Sequence, residues 1–283
     1  FKVPRYADLL MDTYLVVTLP TIWSPIYPPD CDNGWRPYEF KWIKNLGTQM
    51  IQRVRFTVGG QLIQEFTGQY LYNLVERDFN DSKKDLYYKM TGNVSELNDP
   101  ANAYGRMNVY PSSYYYDPAV CPGPDPSIRG RKLYIPLNIW FTLAAKMAFP
   151  LVSLQYNELH IEVEMRPVRD LFVIRNIPGA PGNSDPGDFY HRADFNKAEQ
   201  QFNMFLQPAQ TPDFTSGLDE DAFPDTRTNW AADVHLISTY AFLTDDEVRV
   251  FAAQPQSYLI KEAYQYKFPN LTGPKRVQLE TLG

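Results

Sequence analysis

The clearest hydrophobic pattern in the chain is an alternation that runs through residues 152–165. From residue 157 onward, apolar and polar positions take turns: Leu159, Ile161, Val163 and Met165 alternate with Glu158, His160, Glu162 and Glu164. A period of two places one set of side chains on each face of a β-strand. The pattern predicts a half-buried strand over 152–165 with Leu159, Ile161 and Val163 in the core.

A hairpin is predicted around the Gly59-Gly60 pair. Residues 50–58 alternate between apolar and polar types, with Gln52 as the exception. Two consecutive glycines supply the positive φ angles that a two-residue hairpin turn requires. The chain then returns over 61–66, and we expect Leu62 and Phe66 to share one face of that strand.

Other strands are expected from short runs of β-branched and aromatic residues. Residues 13–19 read TYLVVTL and end at Pro20, which indicates a buried strand. By the same reasoning, strands are predicted over 131–137, 232–243 and 257–266.

Two segments have helical signals. Residues 69–79 place their apolar positions on one helix face, with Thr67 as the expected N-cap; these positions are Leu71, Leu74, Val75 and Phe79. Further on, Thr244 to Glu247 read TDDE, which is a capping box with acidic residues at the positive end of a short helix.

Long loops are predicted over 20–37 and 80–130, and further turn-rich stretches over 178–188 and 208–225. A loop as long as 80–130 in a compact domain is usually functional or interfacial. The strand-rich pattern restarts after the last of these stretches, so we place a domain boundary near residue 228.

Composition and charge narrow the class of protein. Aromatic residues make up 15% of the 283 residues and there are 24 prolines, which together favour an all-β protein with elaborate loops. The net charge of −6 argues against a surface that neutralises phosphates. No apolar run reaches the length of a membrane span, since Lys146 and Pro150 interrupt the longest candidate. Cys31 and Cys121 are expected to be free thiols, although a bridge between them is an open alternative.

A search for catalytic and metal-binding motifs gives only weak candidates. The chain has three histidines, and His160 shares a predicted strand face with three glutamates, which suggests either a metal site or a solvated polar face. The solvated face is favoured, because a cupin-like site needs several histidines together. Glu162 and Glu164 could act as the carboxylate pair of a glycosidase, but the signal is weak. We therefore expect no catalytic residue, no metal and no cofactor.

The loops hold the candidate interaction and modification sites. Aromatic residues that could anchor a neighbouring subunit are Trp23, Trp35, Tyr114, Tyr115 and Tyr116. Candidate N-glycosylation sites, each the first residue of an Asn-x-Ser/Thr triplet, are Asn80, Asn93 and Asn270.

Four stretches resemble the major capsid proteins of nucleocytoplasmic large DNA viruses. The first is RYADLL running into DTYLVVTLP near the start, and the second is the Gly-Gly hairpin with the helix behind it. The third and most specific is IPLNIWF followed by FPLVSLQYNEL, which is similar to the family's IPLxxWF and LPLxxLQYxE signature. The fourth is YAFLTDDEVRVFA with YLI behind it.

The resemblance implies an all-β fold, a jelly-roll β-sandwich that is the first of two, with short helices in its loops. We expect a fragment with a nearly complete first domain over 1–228 and the opening of the second over 229–283. It also implies a structural protein and no enzyme, which forms homotrimers of pseudo-hexagonal outline that tile an icosahedral shell. Implied partners are neighbouring capsomers, minor capsid proteins, and penton or inner-membrane neighbours, without sequence-specific nucleic-acid binding. The implied location is the virion, assembled in the cytoplasm of the host cell.

Alternative functions stay open on the sequence alone. A jelly-roll surface protein that binds carbohydrate or a receptor would bind glycans without assembling. A glycosidase would depend on Glu162 or Glu164. A single jelly-roll penton or minor protein is disfavoured by the restart of the strand pattern after residue 228.

Overall fold

The computed structural model describes most of the chain, namely residues 1–24, 38–113, 126–154, 156–176, 189–206 and 230–260, and then 263, 266, 268–270, 272–274 and 276. The strands within these residues are β1 Lys2–Val3, β2 Leu9–Thr18, β3 Tyr38–Trp42, β4 Ile51–Val58, β5 Gln61–Phe66, β6 Lys132–Pro136, β7 Phe149–Pro150, β8 Leu159–Met165, β9 Phe172–Asn176 and β10 His235–Ala241. The α-helices are α1 Leu46–Gln49, α2 Gly68–Asp78, α3 Asp81–Thr91, α4 Ser95–Asn98 and α5 Asp245–Ala253.

The strands form antiparallel sheets around one hydrophobic core. One sheet has the order β1-β8-β4-β5, a second has the order β10-β2-β6 with β7 also paired to β2, and β3 pairs with β9. Buried side chains from all three sheets belong to the same core cluster. The expected all-β fold is confirmed only in part, because antiparallel β-sheets occur together with several α-helices. The helices, however, form a larger part of it than short helices in loops.

Strand β2 is buried, as its sequence predicts, and it is the central strand of its sheet. Leu10, Leu15, Val16 and Val17 have no exposed surface. Strands β10 and β6 bond to its two edges, so both faces and both edges of the apolar run are covered.

The hairpin prediction is confirmed, but one face assignment is wrong. Gly59 and Gly60 have φ values of 57° and 82° between β4 and β5. A bulge follows the turn, because Phe56 pairs with Gln64 while Thr57 pairs with Leu62. The extra residue reverses the side on which Leu62 emerges. Leu62 is consequently 51% exposed and does not share the core face of Phe66.

A second bulge explains the exception at Gln52. In the pairing of β4 with β8, Ile51 lies opposite Met165 and Arg53 lies opposite Glu164, so Gln52 has no counterpart. The inserted residue is exposed, and the alternation resumes correctly after it.

The helix predicted over 69–79 is confirmed as α2. The Thr67 side chain accepts a hydrogen bond from the Tyr70 backbone N–H, and Leu71, Leu74 and Val75 are buried. The prediction of an unbroken loop over 80–130 is wrong, because α3, α4 and a 3-10 segment at Pro100–Gly105 occupy its first half. The Asn80 side chain caps α3, and Gly92 ends it with φ 78°.

Two predicted strands differ in extent. Strand β8 begins at Leu159 and not near residue 152, because the chain must first cross from one sheet to the other. It leaves β7, which pairs with β2, and a short 3-10 turn at Leu151–Ser153 makes the crossing. Leu159 and Ile161 are buried as expected, and Val163 is partly buried against the core. Residues 257–260 of the strand predicted over 257–266 are not in a strand. Tyr258 instead lies 4.8 Å from the Trp140 ring and donates a hydrogen bond to the Ala148 carbonyl.

Aromatic side chains form much of the core. Phe40 is fully buried and its ring lies 4.8 Å from Phe172, 5.1 Å from Trp42 and 5.2 Å from Phe205. The high aromatic content is therefore used to a large extent inside the molecule, where such rings bury a large apolar area.

The strand predicted over 232–243 is β10, and it bonds along β2 of the preceding part of the chain. Trp230 donates a hydrogen bond to the Thr18 carbonyl at 2.7 Å and packs 6.0 Å from Trp42. The capping box at Thr244 and Glu247 is present at the start of α5. Residue 228 lies outside the described residues, and the domain boundary there stays a prediction. No helix among the described residues is long and apolar enough to cross a membrane.

Candidate interaction surfaces

The polar face of β8 belongs to a ladder of ion pairs across the first sheet. Arg53 contacts Glu164 at 2.6 Å, and Arg55 contacts Glu65 at 2.8 Å and Glu162 at 3.7 Å. At the end of the sheet, Lys2 pairs with Glu158, and this contact lowers the pKa of the Glu158 carboxyl. Opposite charges on neighbouring strands each add about 0.2–1 kcal/mol. This face is therefore a solvated, self-paired surface.

The ladder leaves no basis for the catalytic alternatives. A glycosidase needs one carboxyl that is held protonated by an apolar environment. Glu162 and Glu164 are instead exposed and each contacts an arginine. His160 lies 3.7 Å from Glu158, and no group of three or more His, Cys, Asp or Glu side chains able to hold a metal occurs in the described part of the chain.

Of the five predicted interface aromatics, Trp23 lies within the described residues. Trp23 is half-buried, its backbone N–H donates to the Phe205 carbonyl at 2.9 Å, and its indole nitrogen is buried. Trp35, Tyr114, Tyr115 and Tyr116 lie outside the described residues, as do Cys31 and Cys121. Their interface role stays a prediction.

The three candidate glycosylation sites differ in their surroundings. Asn80 is exposed, and its side-chain oxygen caps α3 by accepting from the Lys83 N–H at 3.0 Å. Asn93 is half-buried, and its side-chain oxygen accepts from Asn45 and Asn98. Asn270 is exposed with φ 60°. Modification at these positions stays a prediction.

Strand β3 has a partly buried polar cluster on its edge with β9. Glu39 accepts hydrogen bonds from Arg175 at 2.8 Å and from the Tyr190 hydroxyl at 3.1 Å. The Lys41 ammonium lies 3.7 Å from the Tyr190 ring centre. Burial raises the pKa of Tyr190 and lowers the pKa of Lys41. The cluster ties the chain that returns at residue 189 to the sheet, which is a structural role.

One exposed apolar loop was not found from the sequence. In residues 104–109, hereafter the 104–109 loop, Tyr104 is 76% exposed, Met107 is 86% exposed and Val109 is 62% exposed. Tyr104, Gly105 and Asn108 have φ values of 56°, 79° and 55°. A non-glycine residue in this region costs on the order of 1 kcal/mol, and such strain tends to occur at functional positions.

Both ends of the 104–109 loop are fixed to the core. Ala103 before it is 1% exposed and Tyr110 after it is 8% exposed. The Tyr110 hydroxyl donates to the Phe40 carbonyl at 2.6 Å and accepts from the Phe40 N–H at 3.1 Å. The sequence signal that could have indicated this loop is the presence of Gly105 and Asn108, two residue types that tolerate positive φ, beside large apolar residues.

A groove lies along β5, α2 and the segment near residue 263. Strand β5 is at the end of its sheet, and within the described residues it pairs only with β4. The groove has a volume of about 780 Å³ and apolar lining from Leu62, Ile63, Phe66 and Tyr70, with polar lining from Glu65, Gln69 and Asn73.

Comparison with known proteins identifies the family. The family model described as major capsid protein N-terminus matches residues 1–191. The major capsid protein of Frog virus 3 is 25% identical, over 92% of this chain and 44% of its own length. The major capsid protein of Chrysochromulina ericina virus is 28% identical, over 92% of this chain and 42% of its own length. A solved structure of the PBCV-1 virus capsid is 16% identical with a TM-score of 0.48, and covers 92% of this chain and 41% of that one.

The chain thus spans less than half the length of the curated relatives it matches. The family match extends over residues 1–191 of 283, and the similar proteins are capsid proteins of large DNA viruses, as the four sequence motifs predict. The chain therefore belongs to the major capsid protein family, in the part described as its N-terminus.

Proposed function

We propose that this chain forms the first jelly roll, and the opening of the second, of a double jelly-roll capsid protein. In this proposal the full-length protein assembles as a homotrimer of pseudo-hexagonal outline, and the trimers tile the icosahedral shell of a large double-stranded DNA virus. The single observation that carries the proposal is the family match over residues 1–191. The antiparallel sheets around one aromatic-rich core support it.

The surfaces of the fold suit a protein that assembles through its loops. A rigid sandwich holds loops in place and leaves them free to vary. The ion-pair ladder makes the outer face of the first sheet polar and self-satisfied, so that face offers little apolar area for burial. Several of the large exposed apolar residues lie in loops, among them Tyr104, Met107 and Val109 of the 104–109 loop.

The division into domains is part of the proposal. We place the first domain over 1–228 and the start of the second over 229–283. The pairing of β10 with β2 means that the second segment adds a strand to a sheet of the first, so the two would be closely joined.

The proposed partners are further copies of the chain, neighbouring capsomers, minor capsid proteins, and penton or inner-membrane neighbours in the virion. The net charge of −6 supports enclosure of the genome without direct recognition of nucleic acid. Assembly would take place in the cytoplasm of the infected cell.

Electron microscopy of the purified full-length protein tests the proposal. Particles with three lobes and a six-sided outline are the expected result. Single globular particles that bind glycans on a screen would refute it in favour of a surface protein that recognises carbohydrate.

A further inference from the structure

We propose that three buried serines, Ser24, Ser113 and Ser127, couple two long segments of the chain. These serines are hereafter the serine base; the first segment is residues 25–37 and the second is residues 114–125. Both segments lie outside the described residues, but the chain ends that flank them are described. A change that loosens the base of one segment would then loosen the base of the other. The inference goes beyond the proposed function, because it holds whether or not the protein assembles.

Each segment is closed at its base by a hydrogen bond between the two chain ends that flank it. Across the first segment, the Ser24 hydroxyl donates to the Tyr38 carbonyl. Across the second segment, the Ser127 N–H donates to the Ser113 hydroxyl at 2.9 Å. The bonded residues are 14 positions apart in both cases, so the two closures have the same length.

The two closures share atoms. The Ser24 N–H donates to the Ser113 hydroxyl at 3.1 Å and to the Ser127 hydroxyl at 3.0 Å. The Ser127 hydroxyl in turn donates to the Ile22 carbonyl at 2.9 Å. The Ser113 oxygen therefore accepts hydrogen bonds from the flanks of both segments, so a shift of one flank disturbs the bonds of the other.

Further contacts join the same four chain ends. Ile22 and Ile128 exchange backbone hydrogen bonds at 2.8 and 3.2 Å, which connects the chain that enters the first segment to the chain that leaves the second. The Tyr110 hydroxyl donates to the Phe40 carbonyl at 2.6 Å and accepts from the Phe40 N–H at 3.1 Å. This contact connects the chain that leaves the first segment to the chain that enters the second.

Burial makes the serine base open as a unit. Ser24 has no exposed surface, and Ser113 and Ser127 are buried. A buried polar group that loses its partner is unfavourable, because water does not replace the lost hydrogen bond. Breaking one closure therefore favours breaking the other. By the same reasoning, a contact that fixes one segment would lower the entropy cost of fixing the other.

Hydrogen exchange of single backbone amides in the full-length protein, measured by mass spectrometry, tests the coupling. Ser24→Ala removes the hydroxyl that closes the first segment and leaves the Ser24 N–H in place. The readout is the Ser127 amide, which closes the second segment. Ser238→Ala is the matched control, because it removes a hydroxyl that contacts Thr13, between β10 and β2.

We expect Ser24→Ala to speed exchange of the Ser127 amide by about fivefold, as the loss of one hydrogen bond does. Ser238→Ala should leave the rate within about twofold. An unchanged Ser127 amide in Ser24→Ala overturns the inference, and so does an acceleration that Ser238→Ala matches.

The reverse direction is tested by lengthening the second segment. An insertion of about twelve Gly and Ser residues between residues 119 and 120 roughly doubles its length, which should favour opening of its base by about threefold. Because coupling is reciprocal, the Ser24 amide should exchange faster by about the same factor. The same insertion after Gly273, where the chain is exposed, is the control. An acceleration confined to the Ser127 amide, or none at either serine, overturns the inference.

Discussion

Replacement of Phe40 by alanine tests whether the aromatic cluster beneath β3 holds the fold together. Phe40 has no exposed surface, and four aromatic rings have centres within 6.1 Å of its own: Trp42, Phe172, Phe202 and Phe205. The loss of a buried phenylalanine costs about 3–5 kcal/mol, and more where neighbours cannot move into the cavity. Since Phe40 belongs to β3, which pairs with β9, and packs against several rings, we expect a loss of about 4 kcal/mol.

The matched control is Phe189→Ala, because the Phe189 side chain is 82% exposed and the chemical change is the same. It should change stability by no more than about 0.5 kcal/mol. Urea unfolding followed by tryptophan fluorescence measures both variants, with Trp42 reporting from 5.1 Å away. The thermal midpoint of Phe40→Ala should fall by about 10 °C. A loss below about 1 kcal/mol, or equal losses in the two variants, would refute the placement of Phe40 in the core.

Three further changes test local features. Gly68→Ala should destabilise the protein by about 1–3 kcal/mol, because the added Cβ would lie 1.9 Å from the Thr48 carbonyl oxygen. Alanine favours helices more than glycine does, so a gain in thermal stability would contradict this clash. Thr244→Ala should remove the cap of α5 and speed hydrogen exchange of its amides by about fivefold, a loss of about 1 kcal/mol, while the amides of α3 keep their rates as the control. Lys2→Ala should raise the pKa of Glu158, because the Lys2 ammonium holds it below its usual range. A carboxyl whose pKa is lower in the folded protein than in the unfolded chain stabilises the folded protein at pH values above the unfolded pKa. This stabilisation is lost as the pH falls through the folded pKa, so the contribution of Glu158 should be smaller in the variant. Carboxyl NMR titration measures it, and an unchanged pKa would exclude the contact.

The sequence predicts those elements whose pattern is local. Strand β2 is rich in β-branched and other apolar residues, and the Gly59-Gly60 turn supplies the positive φ angles that it requires. The caps of α2 and α5 need only nearby residues. The position of Leu62 could not be predicted in the same way, because the bulge beside it depends on how β5 pairs with β4. The late start of β8 likewise depends on a crossing between two sheets.

Helix α3 was missed because its pattern is weak. Only Tyr87 and Thr91 are buried along it, so its apolar face is narrow, and its polar residues are also typical of loops. The exposed apolar side chains of the 104–109 loop were missed for a related reason. Exposed apolar residues in the 104–109 loop are unremarkable as a sequence, and only the fixed backbone and the buried ends at Ala103 and Tyr110 distinguish them from a loose loop.

The most direct test of the capsid assignment is the mass of the full-length protein in solution, measured by light scattering on a sizing column over a range of concentrations. A stable homotrimer predicts a mass three times that of the single chain, and this mass persists on dilution. A mass equal to one chain at every concentration would contradict it.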